Sequence, residues 1–319
     1  MIFEKQILDS YRSLMHTRCD DTGTVFYFSA KDFPGLNKKA FIFKSSLEHE
    51  LKGYIYFREG YKEDKLIIFD HGFGGGHRAY MKEIDILTSA GYRVLAYDHT
   101  GCMRSGGESP NGLTQSLADL DDCVSAVKSD ESFKDLDISV IGHSWGAFST
   151  MNISALHPEV SHIVAFSGFV SASELVATFF PGVLRIYRRA ICNLEREANP
   201  KYFDYNAIET LGVSDTKALL IYSSNDKLCK KKHYNMLNKA LKDKENVSLM
   251  LLNGRGHNPN YTDDAVMYLG KFLKDRAKLM GRPELSDEEK SKFVSSYDWV
   301  RMTEQDMDVW SKILAHLES

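Results

Sequence analysis

From residue 66 to residue 252 the chain repeats one rhythm: a short run rich in Val, Ile and Leu, a loop, then a stretch with apolar residues at helical spacing. Residues 66–70 precede a helical stretch at 80–90, 92–98 precede one at 113–128, and 138–142 precede one at 145–156. A further run comes at 162–166. Continuous apolar runs of this kind suit strands buried on both faces, and helices between them make right-handed crossovers. The pattern therefore predicts an α/β fold with a mostly parallel sheet and helices on both sides.

The rhythm is framed and interrupted. Before it, alternating runs at 24–28, 40–43 and 51–57 predict antiparallel strands. Between 171 and 216 the strands stop and the chain becomes helical and aromatic, with Leu175, Phe179, Leu184 and Tyr187 placed for one face and Pro181-Gly182 breaking the first helix. Runs at 218–223 and 247–252, with a helix at 230–241 between them, then resume the sheet. A long helix to about residue 279, a loop at 283–289 and a last helix from about Thr303 complete the chain. The expected organisation is a core of 1–170 and 217–280, a helical lid at 171–216, and an extension at 281–319 packed on the core.

Charge and cysteine content narrow the classes of function. The net charge of −4 lacks the basic excess of a nucleic-acid surface. Glu4 and Lys5 stand where a signal peptide would begin its apolar run, and no apolar stretch approaches the roughly 20 residues of a membrane span. Cys19, Cys102, Cys123, Cys192 and Cys229 are odd in number and scattered, so they predict neither a disulfide framework nor a zinc site. The expectation is a cytoplasmic protein with reduced thiols, acting on a small molecule.

The most specific signal is Gly142-His143-Ser144-Trp145-Gly146, directly after the run at 138–141 and directly before a helix. A strand that turns sharply into a helix strains the serine between them, and the positions two residues away must lack side chains. A serine hydroxyl needs a base and a group that orients the base. His257 follows the last strand in Asn253-Gly254-Arg255-Gly256-His257, and Asp226 follows the strand before it. Glu174 is the rival acid, while Asp263 and Asp264 follow the histidine too closely. After the run at 66–69 comes His71-Gly72-Phe73-Gly74-Gly75-Gly76-His77, whose glycines allow backbone amides to approach an oxyanion. The expected donors are the amides of Phe73 and Trp145, with Gly74 as the alternative. His77, His143, Phe179 and Tyr187 are candidates for substrate contact, and Arg255 and Met103 stand near the same loops.

These four signatures in this order resemble the α/β-hydrolase superfamily over about residues 24–279. Within it the chain is similar to serine hydrolases of the serine aminopeptidase-like, monoacylglycerol lipase-like and feruloyl or acetyl esterase-like kinds. The resemblance implies an eight-stranded sheet, a helical lid after the sixth strand, an acyl-enzyme mechanism, and no metal or organic cofactor. One loop departs from it: such proteins often carry Asp-x-Arg-Gly-x-Gly-x-Ser, whereas here Asp98-His99-Thr100-Gly101-Cys102-Met103-Arg104-Ser105 has Thr100 and Met103 at two of those places.

The expected activity is hydrolysis of a carboxylic ester through an acyl-Ser144 intermediate. An aminopeptidase would want an acidic group in the lid for a free amine, and Glu195 and Glu197 are the candidates. An amidase or thioesterase would use Arg185, Arg188 or Arg189 on an anionic group. A binding protein without turnover is the remaining alternative.

Overall fold

Alternate residues of the central strands feed two different cores, which is why those strands are apolar throughout. In the computed structural model, which describes residues 3–319, the strands are β1 (Asn37–Lys44), β2 (Glu50–Phe57), β3 (Lys65–Asp70), β4 (Arg93–Tyr97), β5 (Asp137–His143), β6 (His162–Phe166), β7 (Lys217–Ser223) and β8 (Val247–Leu252). Leu66, Ile68, Val140 and Leu220 enter one cluster, while Ile67, Phe69, Ile141 and Ile221 enter the other. The sheet order is β1-β2-β4-β3-β5-β6-β7-β8. β1 and β2 pair antiparallel with their neighbours, and every pairing from β4 to β8 is parallel.

The helices are α1 (Glu4–Met15), α2 (Met81–Ser89), α3 (Gln115–Ser129), α4 (Trp145–Asn152), α5 (Ala172–Phe179), α6 (Arg188–Ala198), α7 (Ala207–Val213), α8 (Lys231–Leu241), α9 (Asp263–Met280), α10 (Asp287–Ser295), α11 (Trp299–Met302) and α12 (Met307–Leu317). Apolar residues of α3, α4, α7 and α8 fill the first core, and those of α2 and α12 fill the second. Trp310 of α12 is fully buried there, 6.2 Å from the Phe166 ring. Between β6 and β7, Val176, Ile191, Tyr202, Phe203 and Leu211 join the first core. Pro181 and Gly182 do separate α5 from the next element, a 3-10 turn over Gly182–Tyr187.

Three expectations are corrected. The run at 24–28 forms no strand: Phe26 and Phe28 pack edge to face 5.0 Å apart and turn to Trp299 and Phe33, so their alternation is satisfied by aromatic packing. The loop at 283–289 ends at Ser286, whose capping box with Glu289 starts α10. The last helix begins at Met307, because the Asp306 carboxylate caps the amides of Asp308 and Val309. α1 also lies outside the expected pattern; Tyr11 and Met15 bury one side of it. Among the described residues no helix is long and apolar enough to cross a membrane.

The switch point of a parallel sheet, where neighbouring connections leave in opposite directions, opens a crevice at the strands' carboxyl ends. Here β3 lies between β4 and β5. The crevice is therefore walled by the loop after β3 and by the start of α4, the two glycine-bearing segments.

Candidate active site

Ser144 occupies the single residue between β5 and α4, with φ 57° and ψ −107°. That is a strained conformation for a residue with a side chain. The turn is possible because its flanks are bare: a Cβ on Gly142 would lie 2.3 Å from the Gly146 carbonyl oxygen, and one on Gly146 would lie 2.1 Å from the Asp70 carbonyl oxygen. The Ser144 amide donates to the Phe166 carbonyl at 2.8 Å, which ties the bend to β6.

Parallel strands deliver their following loops to one edge, so residues far apart in sequence converge. His257 Nε2 lies 2.8 Å from Ser144 Oγ, and His257 Nδ1 lies 2.7 Å from Asp226 Oδ2. The other Asp226 oxygen accepts the amides of Leu228 at 2.8 Å and Cys229 at 3.1 Å. Asp226 is fully buried and the His257 side chain keeps 21% of its surface exposed. The carboxylate is thus fixed and dry while the imidazole keeps an exposed edge. Its loop is held by Asn225, whose Oδ1 accepts the Gly256 amide at 2.8 Å. Arg255 points away, donating to Asp306 at 2.7 Å and pairing with Asp263 at 3.0 Å.

Behind this row stands a neutral relay. Tyr80 donates its hydroxyl to His143 Nδ1 at 2.8 Å and accepts the Gly72 amide at 3.0 Å, while His143 Nε2 donates to the His257 carbonyl at 2.8 Å. Burial, then the neighbouring His257, pushes His143 down to about 3, consistent with a ring that stays neutral. His143, expected to contact substrate, instead has both its nitrogens occupied in positioning the His257 loop. The glycine loop and the elbow meet through rings, since Phe73 packs edge-on against Trp145 at 5.3 Å. The amides of Phe73 and Trp145 have no acceptor among the described residues.

The other candidates separate. His77 is 1% exposed, with Nδ1 2.7 Å from Asp98 and Nε2 3.0 Å from the Tyr56 hydroxyl, so no ring atom is left for a ligand. Phe179 is 39% exposed on α5, and Tyr187 is buried at the end of the turn before α6. Glu174 pairs with Lys232 at 2.5 Å, and Asp264 pairs with Arg301. Glu195 is wholly buried and accepts from the Tyr11 hydroxyl, the His16 ring and the Leu113 amide, so it cannot also anchor a substrate amine. Glu197 is exposed. Arg188 closes the end of α5 on the carbonyls of Phe180 and Ala177, whereas Arg185 and Arg189 face solvent. Met103 lines a cavity of about 200 Å³ together with Gly76, Asp98 and Arg104.

Under the elbow lies a second histidine centre, one that no sequence motif announces. His99 is buried between two buried carboxylates, Asp70 at 2.8 Å from Nε2 and Asp119 at 3.1 Å from Nδ1. Burial works against its charge, but the two carboxylates prevail and raise it to about 10. Asp119 also accepts the Thr100 amide and hydroxyl, so the threonine found where the resemblance leads one to expect arginine is bound to the same acid. Among the described residues no cluster of His, Cys, Asp and Glu is arranged to hold a metal ion.

Comparison with known proteins agrees with this architecture. The profile of the serine aminopeptidase S33 family (Hydrolase_4) matches residues 61–210. The AB hydrolase superfamily protein YfhM of Bacillus subtilis is 31% identical over 31% of this chain and 34% of its own length. An epoxide hydrolase of Caballeronia sordidicola is 27% identical over 29% of this chain and 27% of its own length. The matched segments thus span about a third of these curated relatives. Among solved structures, the Pyrococcus furiosus esterase Pf2001 superposes with a TM-score of 0.60 at 21% identity, over 88% of this chain and 99% of that one. The chain thus has the α/β-hydrolase fold, and the family profile and the likeness to YfhM support a hydrolase of that kind.

Proposed function

We propose that this protein is a serine hydrolase that cleaves carboxylic esters through an acyl-Ser144 intermediate. The observation that carries the reading is the Ser144–His257–Asp226 row, with contacts of 2.8 and 2.7 Å at the sheet's switch point. His257 takes the serine proton as the hydroxyl attacks the ester carbonyl, then gives it to the leaving alcohol. Asp226 holds the imidazole in the tautomer that presents a lone pair to Ser144 and stabilises the imidazolium. The amides of Phe73 and Trp145 receive the oxyanion, since the alternative donor, the Gly74 amide, is directed to the Cys19 sulfur. Water then repeats the sequence on the acyl-enzyme. No metal or organic cofactor enters the scheme.

Several of the matched relatives are named epoxide hydrolases, but the nucleophile here argues for acyl transfer. A serine oxygen that opened an epoxide would form an ether, which water does not cleave, whereas a serine acyl ester is readily hydrolysed. We read residues 171–216 as a lid, with residues 1–170 and 217–280 as the core and 281–319 as an extension. Phe179, Val183 and Ile186 of this segment are exposed, and apolar side chains on a lid favour an apolar acyl group over a charged one. A small-molecule ester in a cytoplasmic setting is the corresponding expectation for substrate and place.

The test is labelling with a fluorophosphonate probe, then assay of p-nitrophenyl esters of increasing acyl length and one aminoacyl anilide. Wild type is expected to label and to turn over esters. Ser144→Ala is expected to lose labelling and about 10⁶-fold in kcat. Labelling that persisted in the folded variant, or preference for the anilide, would reject the ester reading.

A further inference from the structure

Cys19 and Cys102 face each other across an isolated parallel bridge. The Cys19 amide donates to the Gly101 carbonyl at 2.9 Å, and the Met103 amide donates to the Cys19 carbonyl at 2.9 Å. This pattern makes residues 19 and 102 direct partners, and partnered residues of neighbouring strands project their side chains to the same side. Neighbouring strands lie about 4.8 Å apart. That falls inside the range of about 4.4–6.8 Å between Cα atoms that a disulfide spans. Cys102 is fully buried and Cys19 is half-buried, so Cys19 is the more accessible of the two and its partner is sheltered. The remaining cysteines, 123, 192 and 229, take no part in this bridge.

We infer that Cys19 and Cys102 are an oxidisable dithiol, a modification site that a hydroperoxide converts to an intramolecular disulfide. The Cys19 thiolate attacks one peroxide oxygen; an S–O bond forms, the O–O bond breaks, and the departing hydroxide is protonated to water. The Cys102 sulfur then attacks Cys19 sulfur and loses its proton; the S–S bond forms, the S–O bond breaks, and a second water leaves. Two thiols and one molecule of hydrogen peroxide thus give one disulfide and two waters, with the thiols oxidised and the peroxide reduced.

The surroundings divide the two roles. The neighbouring Cys102 thiol, and then the Gly74 amide, hold Cys19 below the ordinary cysteine range, against the effect of its own burial. Cys102 is pushed up by Cys19 and by burial. The more thiolate-like, more accessible sulfur is the one that attacks; Cys102 resolves it because it is the bridge partner of Cys19, and its raised value slows that second step. The bond would fasten the segment behind α1 to the loop that begins at Asp98. That loop already touches the glycine loop, because a Cβ on Gly76 would come within 2.7 Å of Met103 Cγ.

The test exposes purified full-length protein to hydrogen peroxide and reads intact mass, peptide map and amide exchange, none of which depends on turnover. The expected product has lost two hydrogens, yields one cross-linked peptide pair joining Cys19 to Cys102, and reverts with a dithiol reductant. The amides of Cys19 and Met103 exchange more slowly in it. Cys19→Ser, at a half-buried position, keeps its hydrogens; Cys102→Ala gains oxygen on Cys19 in place of the cross-link. Oxygen accumulating on Cys19 of folded wild type, or a cross-link to any other cysteine, would overturn the inference.

Discussion

Of the histidines that sit beside carboxylates, His257 and His99 do so at nearly equal distances, yet their second nitrogens meet different partners. His257 has Asp226 on Nδ1 and the Ser144 hydroxyl on Nε2. His99 has a carboxylate on each nitrogen and is completely buried. An imidazole with a carboxylate near each nitrogen is pushed toward its doubly protonated form, to about 10 for His99 against the opposing effect of burial, and that form has no lone pair to offer. One that faces a carboxylate on one side and a hydroxyl on the other can carry a lone pair toward the hydroxyl. Chemistry and architecture are separated by the partner of the second nitrogen, not by the presence of a His–Asp pair.

The comparison breaks most sharply at Asp226. Asp226→Asn leaves the shape but favours the wrong tautomer, and kcat toward an ester is expected to fall about 10⁴-fold with the fold intact by circular dichroism. His99→Gln should act on stability instead. It leaves two buried carboxylates without their cation, at a cost of about 3–5 kcal/mol in urea unfolding at neutral pH, while kcat of the folded protein changes by less than about tenfold. The pH dependence comes from the sign of the shift. His99 stands at about 10 in the folded chain against an ordinary 6.5, so its contribution is full below pH 6.5 and is lost as pH rises through 10. The gap between wild type and His99→Gln should therefore narrow toward pH 10. A constant gap across that window would mean that His99 is not the buried cation.

Two smaller effects sharpen the picture. Tyr80→Phe removes the hydroxyl that fixes His143, and a neutral hydrogen bond of this kind contributes about 1 kcal/mol. Turnover is expected to fall about fivefold with KM unchanged, read from steady-state kinetics. Glu83 lies buried beneath Asn260 and Gln305, and burial raises it to about 7. Its contribution is full below 4.5 and lost as pH rises through 7. Glu83→Gln should be neutral at pH 4.5 and more stable than wild type at pH 8, by about 3 kcal/mol.

The sequence alone determined whatever depends on neighbouring residues. Unbroken apolar runs required a sheet covered on both faces, and β3 to β8 come from them; of the three alternating runs, those at 40–43 and 51–57 became β1 and β2, while at 24–28 the aromatics found one another rather than a strand edge. Gly142 and Gly146 announced the strained serine because the clash they avoid is local. The order of Ser144, Asp226 and His257 pointed to one sheet edge, and the three side chains do meet there. Tertiary structure alone decided the roles of the other histidines. His77, His99 and His143 all stand in glycine-rich segments that look alike in sequence. Each has its charge and orientation set by partners many residues away, Tyr56 and Asp98, Asp70 and Asp119, and Tyr80 with the His257 carbonyl. Glu195 has the chemistry of an amine anchor, but α1 and the loop before α3 close on it and use up its oxygens. Strain and periodicity are properties of adjacent bonds and can be read from the chain. The protonation of a buried group is a property of the field around it, and that field exists only once the chain has folded.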